Sequence, residues 1–184
     1  MTTSANLSQA FRDAFRCHPT GVAIITADSS DGPVALTVSS LISVSADPPT
    51  VAFSVSSRSG PSAAMLHAET VVLHLLQYSN LALAKHVSTP GADRFGATIN
   101  WERLPTGEPR YADVATWFRA RIIGTLPVDG ASLIAAELLE GRAQSDHATP
   151  EEETLIYMDR RWLRLSPDPA RLTVVKSDAE HFWF

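Results

Sequence analysis

The feature that most constrains this chain is a pair of alternating runs joined by turn residues. Residues 21–27 read GVAIITA, residues 28–33 read DSSDGP and residues 34–40 read VALTVSS. A period of two places every second side chain on one face of a strand. Asp31-Gly32 between the runs is a hairpin signal, because glycine supplies the positive φ that a tight connection needs. The two runs therefore predict an antiparallel ribbon. Val34, Leu36 and Val38 share one face, and Ala35, Thr37 and Ser39 share the other. Ile42 and Val44 are expected to prolong this ribbon, and ADPP (residues 46–49) to break it. Residues 50–56, TVAFSVS, form a third strand, apolar at Val51, Phe53 and Val55 and small or polar at Thr50, Ala52, Ser54 and Ser56.

Further strands are predicted at residues 70–76 (TVVLHLL) and in YADVATWFRARIIGTLPV, ASLIAAELLEGRAQ and TLIYMDRRWLRL. The second of these also suits a helix by propensity. Helical spacing of Leu7, Phe11, Ala14 and Phe15 predicts a short amphipathic helix over 6–16, ended by Pro19. Residues 59–69 look helical, with Pro61 tolerated in the first turn, and residues 80–87 form another short helix. Residues 88–110, rich in Gly and Pro, are expected to be loop. With strands dominating and no repeat or linker, the chain is read as one domain, a closed or partly closed antiparallel barrel.

Composition narrows the function. The chain has 184 residues, enough for one sizeable core, and its formal net charge is −5. No basic block exceeds Arg160-Arg161, so an unaided grip on nucleic acid is not expected. The single cysteine, Cys17, excludes an intramolecular disulfide and a cysteine-based zinc site. The six histidines lack metal-ligand spacing, and no metal is expected. The first residues lack the pattern of a signal peptide, and no apolar run reaches the roughly 18 residues of a spanning helix. A cytoplasmic protein without membrane contact is the expectation. Rossmann, P-loop and nucleophile-elbow motifs are all missing.

The polar positions of residues 37–60 are nearly all Ser or Thr. Hydroxyls on short stems offer a donor and acceptors while letting a ligand approach the backbone amides. Thr37, Ser39 and Ser40 end one strand, and Ser54 and Ser56 lie on the matching face of the next. Ser57, Arg58 and Ser59 follow, just before a helix N-terminus, where free N–H groups and a guanidinium suit phosphate. A phosphorylated planar heterocycle fits this arrangement. So does a plain β-sandwich edge with cross-strand hydroxyl pairs.

HPTGVAIITA followed by DGPVALTVSSLISVSADPPTVAFSVSSRS resembles the flavin reductase-like family of FMN-binding split barrels. The resemblance spans residues 11–165, with 166–184 as a tail. DRF (residues 93–95), LPTGEPRYADVATWFRARI and TLIYMDRRWLRL match later blocks of that family. The most specific element is the Thr-x-Ser-Ser-x-x-Ser-Val-Ser-x-x-Pro-Pro run that begins at Thr37. The resemblance implies a mainly β, Greek-key split barrel that forms a homodimer and binds FMN or FAD near the interface. Thr37, Val38, Ser39, Ser40 and Leu41 would line the ring, with Ser54 on the same shelf. Ser56, Ser57, Arg58 and Ser59 would hold the phosphate, with Lys85, Arg94 and Phe95 at the pocket edge. The implied chemistry is hydride transfer from NADH or NADPH to flavin, with the reduced flavin passing to a partner monooxygenase.

One departure stands out. Where the family commonly has Gly-Asp-His before a strand, this chain has Asp129-Gly130-Ala131. The flavin shelf matches and the nicotinamide side does not, which predicts flavin binding with poor nicotinamide turnover unless another group substitutes. His147 is the nominee. No side chain is assigned a catalytic role. Two alternatives follow: a flavin carrier or sensor without nicotinamide turnover, and a deazaflavin- or FMN-dependent oxidoreductase acting on an organic substrate.

Overall fold

The alternating runs form the ribbon their pattern requires. The structure, a computed structural model, describes residues 4–56, 60–143, 153–166 and 172–174. Strands β2 (Ala23–Ser29) and β3 (Gly32–Val38) pair in register from Ala23↔Val38 to Ser29↔Gly32. The Ser29 hydroxyl braces the turn by donating to the Gly32 carbonyl at 2.8 Å. Helix α1 (Ser4–Arg16) and the short strand β1 (Thr20–Gly21) precede them. After β3 come β4 (Ile42–Ala46), β5 (Pro49–Val55), α2 (Pro61–His67), β6 (Thr70–Leu75) and α3 (Leu81–Ser88). The chain continues through β7 (Trp101–Arg103), β8 (Pro109–Tyr111), β9 (Thr116–Val128), β10 (Ala131–Arg142), β11 (Thr154–Met158), β12 (Arg161–Leu165) and β13 (Leu172–Val174).

These strands make a seven-stranded antiparallel sheet in the order β3-β2-β6-β9-β10-β5-β4. A four-stranded sheet has the order β1-β11-β12-β13, and β7 and β8 pair as a hairpin. The large sheet curls into a Greek-key split barrel. Its interior is apolar and mainly aliphatic, built from Ile25, Val38, Phe53, Val55, Met65, Leu73 and Ile134, none more than 8% exposed. A second cluster lies outside the barrel wall, where Ile24, Ala35, Leu76, Val87, Tyr111, Tyr157 and Trp162 pack together. β2 serves both: Ala23, Ile25 and Ala27 face inward and Ile24 faces the outer cluster.

Two expectations are corrected here. Ile42 and Val44 do not prolong β3. The chain turns away after β3, and β4 pairs with β5 at the opposite edge, from Ile42↔Ala52 to Ala46↔Pro49. Alternation encodes which way side chains point and carries no information about which strand is the partner. Residues 88–110 are not all loop either, since β7 and the start of β8 lie within them. Three-residue strands are too short for alternation to register, and their pairing depends on packing against β2 and β6. The ambiguous run ASLIAAELLEG is a strand, β10, held between β9 and β5. Its helix propensity yields to pairing on both edges.

Helix α1 is held at its C-terminal end. The Asp159 amide donates to the Arg16 carbonyl at 2.6 Å, and Arg16 Nε meets the Asp159 carboxylate at 2.8 Å. Its apolar stripe stays uncovered in the single chain, with Leu7, Phe11 and Phe15 at 64%, 58% and 59% exposure.

Candidate functional site

The barrel is closed at its seam by a side chain. Ser40, just past β3, donates from Oγ to the Ser54 carbonyl at 3.3 Å and accepts from the Ser54 amide at 2.9 Å. One hydroxyl thus does for β5 what a neighbouring strand would do, using both its donor and an acceptor. The seam brings Thr37, Val38, Ser39, Ser40 and Leu41 beside Ser54 and Ser56. Val38 and Val55 point into the barrel. Thr37 and Ser54 belong to the opposite, outward set of each strand. Ser54 and Ser56 are exposed, and Ser39, Ser40 and Leu41 are half-buried. The expected shelf of small residues is therefore present. Ser40 differs from expectation in one respect: its hydroxyl is committed to the seam, so it offers a ligand its backbone alone. Thr37 Oγ1 is buried and has no hydrogen-bond partner, an unmet group that a bound polar ring edge would satisfy.

Further back along β3 the outer face borders a groove of about 220 Å³, lined by Val34, Ala35, Pro61, Arg94, Phe95 and their neighbours. Ser40 lies five residue steps beyond Ala35, about 16 Å along an extended chain. Ser57, Arg58 and Ser59 lie outside the described residues; in sequence they fall between Ser56 at the seam and Pro61 at the groove. Gly60 has φ 59°, a left-handed backbone open to glycine at little cost. Pro61 then starts α2. Arg94 donates from Nε to the Val87 carbonyl at 2.9 Å. Lys85, on the adjacent α3, is half-buried and does not line the groove.

The Arg94–Phe95 corner is rigidly built. Asp93 Oδ1 accepts from the Phe95 amide at 3.1 Å, and a Cβ on Gly96 would lie 2.7 Å from Asp93 Oδ2, so a larger residue there would displace that carboxylate. The Phe95 ring stacks on Tyr111, with centroids 5.5 Å apart and an interplanar angle of 7°, and meets Trp101 edge-on at 5.0 Å. None of these supports was foreseen from the sequence. The Trp101 and Tyr111 that bracket LPTGEP were the available signal, since two aromatics around a Pro/Gly turn suit a hairpin.

Strongly perturbed groups lie on this hairpin and on the neighbouring strand β6. His74 is fully buried. Its Nδ1 lies 3.1 Å from the Ile24 carbonyl, and its Nε2 accepts from the Tyr111 amide at 3.0 Å. Burial lowers its pKa to about 4, so the ring is neutral, as an accepting Nε2 requires. Glu108 is 4% exposed. Burial alone would raise its pKa, but hydrogen bonds from Thr106, Thr70 and Arg119 outweigh that and hold it at about 2. The Arg119 and Thr70 contacts are 2.6 and 2.5 Å. Both groups are internally satisfied and neither lines the groove, and their bonds hold the hairpin in place. Among the described residues no cluster of His, Cys, Asp and Glu could hold a metal ion.

Asp129 and Gly130 form the β9–β10 turn, Gly130 with φ 76°. Ser132 pairs with Val55 and Leu133 with Ser54. Ala131 thus starts a strand directly beside β5, which bears Ser54. His147 and the aromatic end, residues 181–184, lie outside the described residues.

Comparison with known proteins gives a consistent result. A family model described as "Flavin reductase like domain" matches residues 15–166. An NADH:FMN oxidoreductase of Rhodococcus erythropolis is 32% identical over 157 residues, 85% of this chain and 81% of that protein. The stachydrine N-demethylase reductase subunit Stc3 of Rhizobium meliloti is 37% identical over 111 residues, 60% of this chain and 48% of that protein. Among solved structures, a flavin reductase domain protein from Arthrobacter sp. FB24 superimposes with a TM-score of 0.78 at 28% identity, covering 87% of this chain and 96% of that one.

Proposed function

The chain belongs to the flavin reductase-like domain family, and from that premise we propose that it reduces FMN or FAD at the expense of NADH or NADPH. The observation that carries the reading is the seam: a shelf of small residues at Thr37–Leu41 and Ser54–Ser56, with the buried Thr37 hydroxyl unpartnered. Bound flavin supplies the chemistry, accepting a hydride from reduced nicotinamide. The protein's part is to bind and orient. The backbone of Ser39–Leu41 and the hydroxyls of Thr37, Ser54 and Ser56 meet the ring. Ser56, Ser57, Arg58 and Ser59 bind the phosphate, and Arg94 and Phe95 stand at its edge, with Lys85 further back on α3. Fixing the two reactants in contact is where most of the rate gain lies.

Two features of the surface support a homodimer. The α1 stripe of Leu7, Phe11 and Phe15 is uncovered, and so are Leu126, Val128 and Leu133 on the β9–β10 arm beyond the end of β6. Apolar patches of this kind are typical of subunit contacts. Light scattering is expected to give twice the chain mass of 19.9 kDa; a monomer at micromolar concentration refutes the dimer. A cytoplasmic location and transfer of reduced flavin to a partner oxygenase complete the proposal. The second is supported by the likeness to a demethylase reductase subunit.

The test is NADH and NADPH oxidation with added FMN, beside flavin affinity by fluorescence quenching. Arg58→Ala is expected to weaken FMN binding by about 1.5–3 kcal/mol, the range for a hydrogen bond to a charged group, with riboflavin little affected. Equal FMN affinity in mutant and parent removes Arg58 from the site. The Ala131 position favours one competing reading, a flavin-binding protein with little nicotinamide turnover. Ala131→His is expected to raise kcat/KM for NADH about 5-fold or more. A parent that already turns over efficiently, unchanged by Ala131→His, removes that reading.

A further inference from the structure

We infer that Tyr111 is a positioning residue for binding of the flavin phosphate end, acting through Arg94 and Phe95; the inference rests on the flavin reading above. Arg94 and Phe95 line the groove beside the start of β3, and their backbone and rings are fixed from behind. The Tyr111 hydroxyl donates to the Arg94 carbonyl at 2.9 Å. The Tyr111 ring stacks on Phe95 almost parallel, at 7°. The Trp101 indole N–H donates to the Phe95 carbonyl at 2.7 Å. Tyr111 is itself immobile: it is fully buried, and its amide donates to the neutral His74 ring at 3.0 Å. Pro109, two residues earlier, accepts from the Thr26 hydroxyl of β2 through its carbonyl.

The consequence is a continuous support from the barrel wall to the groove. β2 and β6 hold β8, β8 holds the Arg94–Phe95 corner, and the corner aims the Arg94 guanidinium. With Nε tied to Val87, the terminal nitrogens of Arg94 have no partner among the described residues and stay available to an anion. A guanidinium on a flexible loop would lose much of its binding gain to ordering entropy. A pre-set one does not. Tyr111 touches no ligand in this scheme, and its contribution appears only in discrimination between flavins with and without a phosphate.

The experiment measures FMN and riboflavin affinities by fluorescence quenching for the parent, Tyr111→Phe, Trp101→Phe, Arg94→Ala and the double variant Tyr111→Phe/Arg94→Ala. Tyr111→Phe keeps the stacked ring and loses one hydrogen bond. Trp101→Phe loosens the same corner from the other side, so either variant can decide the matter if the other fails to fold. Each is expected to weaken FMN binding roughly 3- to 10-fold, the scale of one neutral hydrogen bond, with riboflavin affinity unchanged. In the Arg94→Ala background Tyr111→Phe is expected to have no further effect, because the two act as one unit. KM for FMN should rise at constant kcat. Equal losses for FMN and riboflavin, or additive effects of Tyr111→Phe and Arg94→Ala, overturn the positioning role while leaving the flavin reading intact. A parent that binds neither flavin overturns both.

Discussion

The two cores of this protein are built on opposite terms. The barrel interior is almost wholly aliphatic, carries no charge and gains its stability by removing apolar surface from water. The outer cluster mixes aliphatic side chains with aromatic rings and adjoins buried polar groups. Tyr111, Trp101 and His74 each pack a ring and bond a specific atom, and Glu108 with Arg119 ties the hairpin to the sheet. The first kind of core tolerates exchange of one apolar residue for another of similar volume. The second tolerates little, because its rings are held by specific partners at set distances and angles. The groove at Arg94 and Phe95 lies on the side of the second kind.

That contrast can be broken most forcefully from within the barrel. Phe53 is 0% exposed at the centre of β5, and Phe53→Ala is expected to cost about 3–5 kcal/mol by transfer and cavity terms together. Its effect should be the same at pH 7 and pH 4, measured by urea unfolding. A strong pH dependence would mean that the interior is coupled to the outer polar groups after all.

Glu108→Gln is the corresponding test of the outer cluster, with an expected loss of about 1.5–3 kcal/mol at pH 7. Here pH matters. The native carboxylate titrates at about 2, below its ordinary value of 4.5, so the unfolded state binds more protons between those values. Its stabilisation is therefore full above pH 4.5 and is lost as pH falls toward 2. His74, with a native pKa of about 4 against an ordinary 6.5, adds an earlier loss between those two values. Thermal unfolding of the parent should fall in both windows. Glu108→Gln should flatten the lower one alone. An unaltered acid limb in Glu108→Gln would show that the carboxylate is not the group being protonated.

The smallest expected effect belongs to the seam. Ser40→Ala removes the hydroxyl that bonds both polar groups of Ser54, at an expected cost of about 1 kcal/mol, because the site is partly open to water. Flavin affinity should fall with it if the Ser39–Leu41 backbone depends on the seam for its position. An unchanged affinity, by quenching, would separate the latch from the shelf.

How much of this was legible follows the same division. The strands of the barrel declare themselves because a wall with one face inside must alternate, as VALTVSS and TVAFSVS do. The Thr37–Leu41 and Ser54–Ser56 shelf was legible for the same reason, the unusual choice being Ser and Thr where a wet face would carry Lys or Glu. The partner of β4 was not, because pairing is a property of the whole sheet. Nor was the role of Ser40, whose bond partner is 14 residues away on another strand. Tyr111, His74 and Glu108 were invisible as a group. Each looks ordinary in sequence and gains its meaning from residues up to 50 positions distant.

The Ser40 latch also sets a clock. Amide hydrogens in the middle of a sheet exchange with solvent only when a large unit unfolds, whereas those held by a single side chain exchange when that side chain turns away. The Ser54 N–H is of the latter sort, bonded to one partly open hydroxyl. Its deuterium uptake therefore reports how often the barrel parts along its seam, and a molecule resting on the shelf would slow that uptake at one residue while leaving the interior amides unchanged.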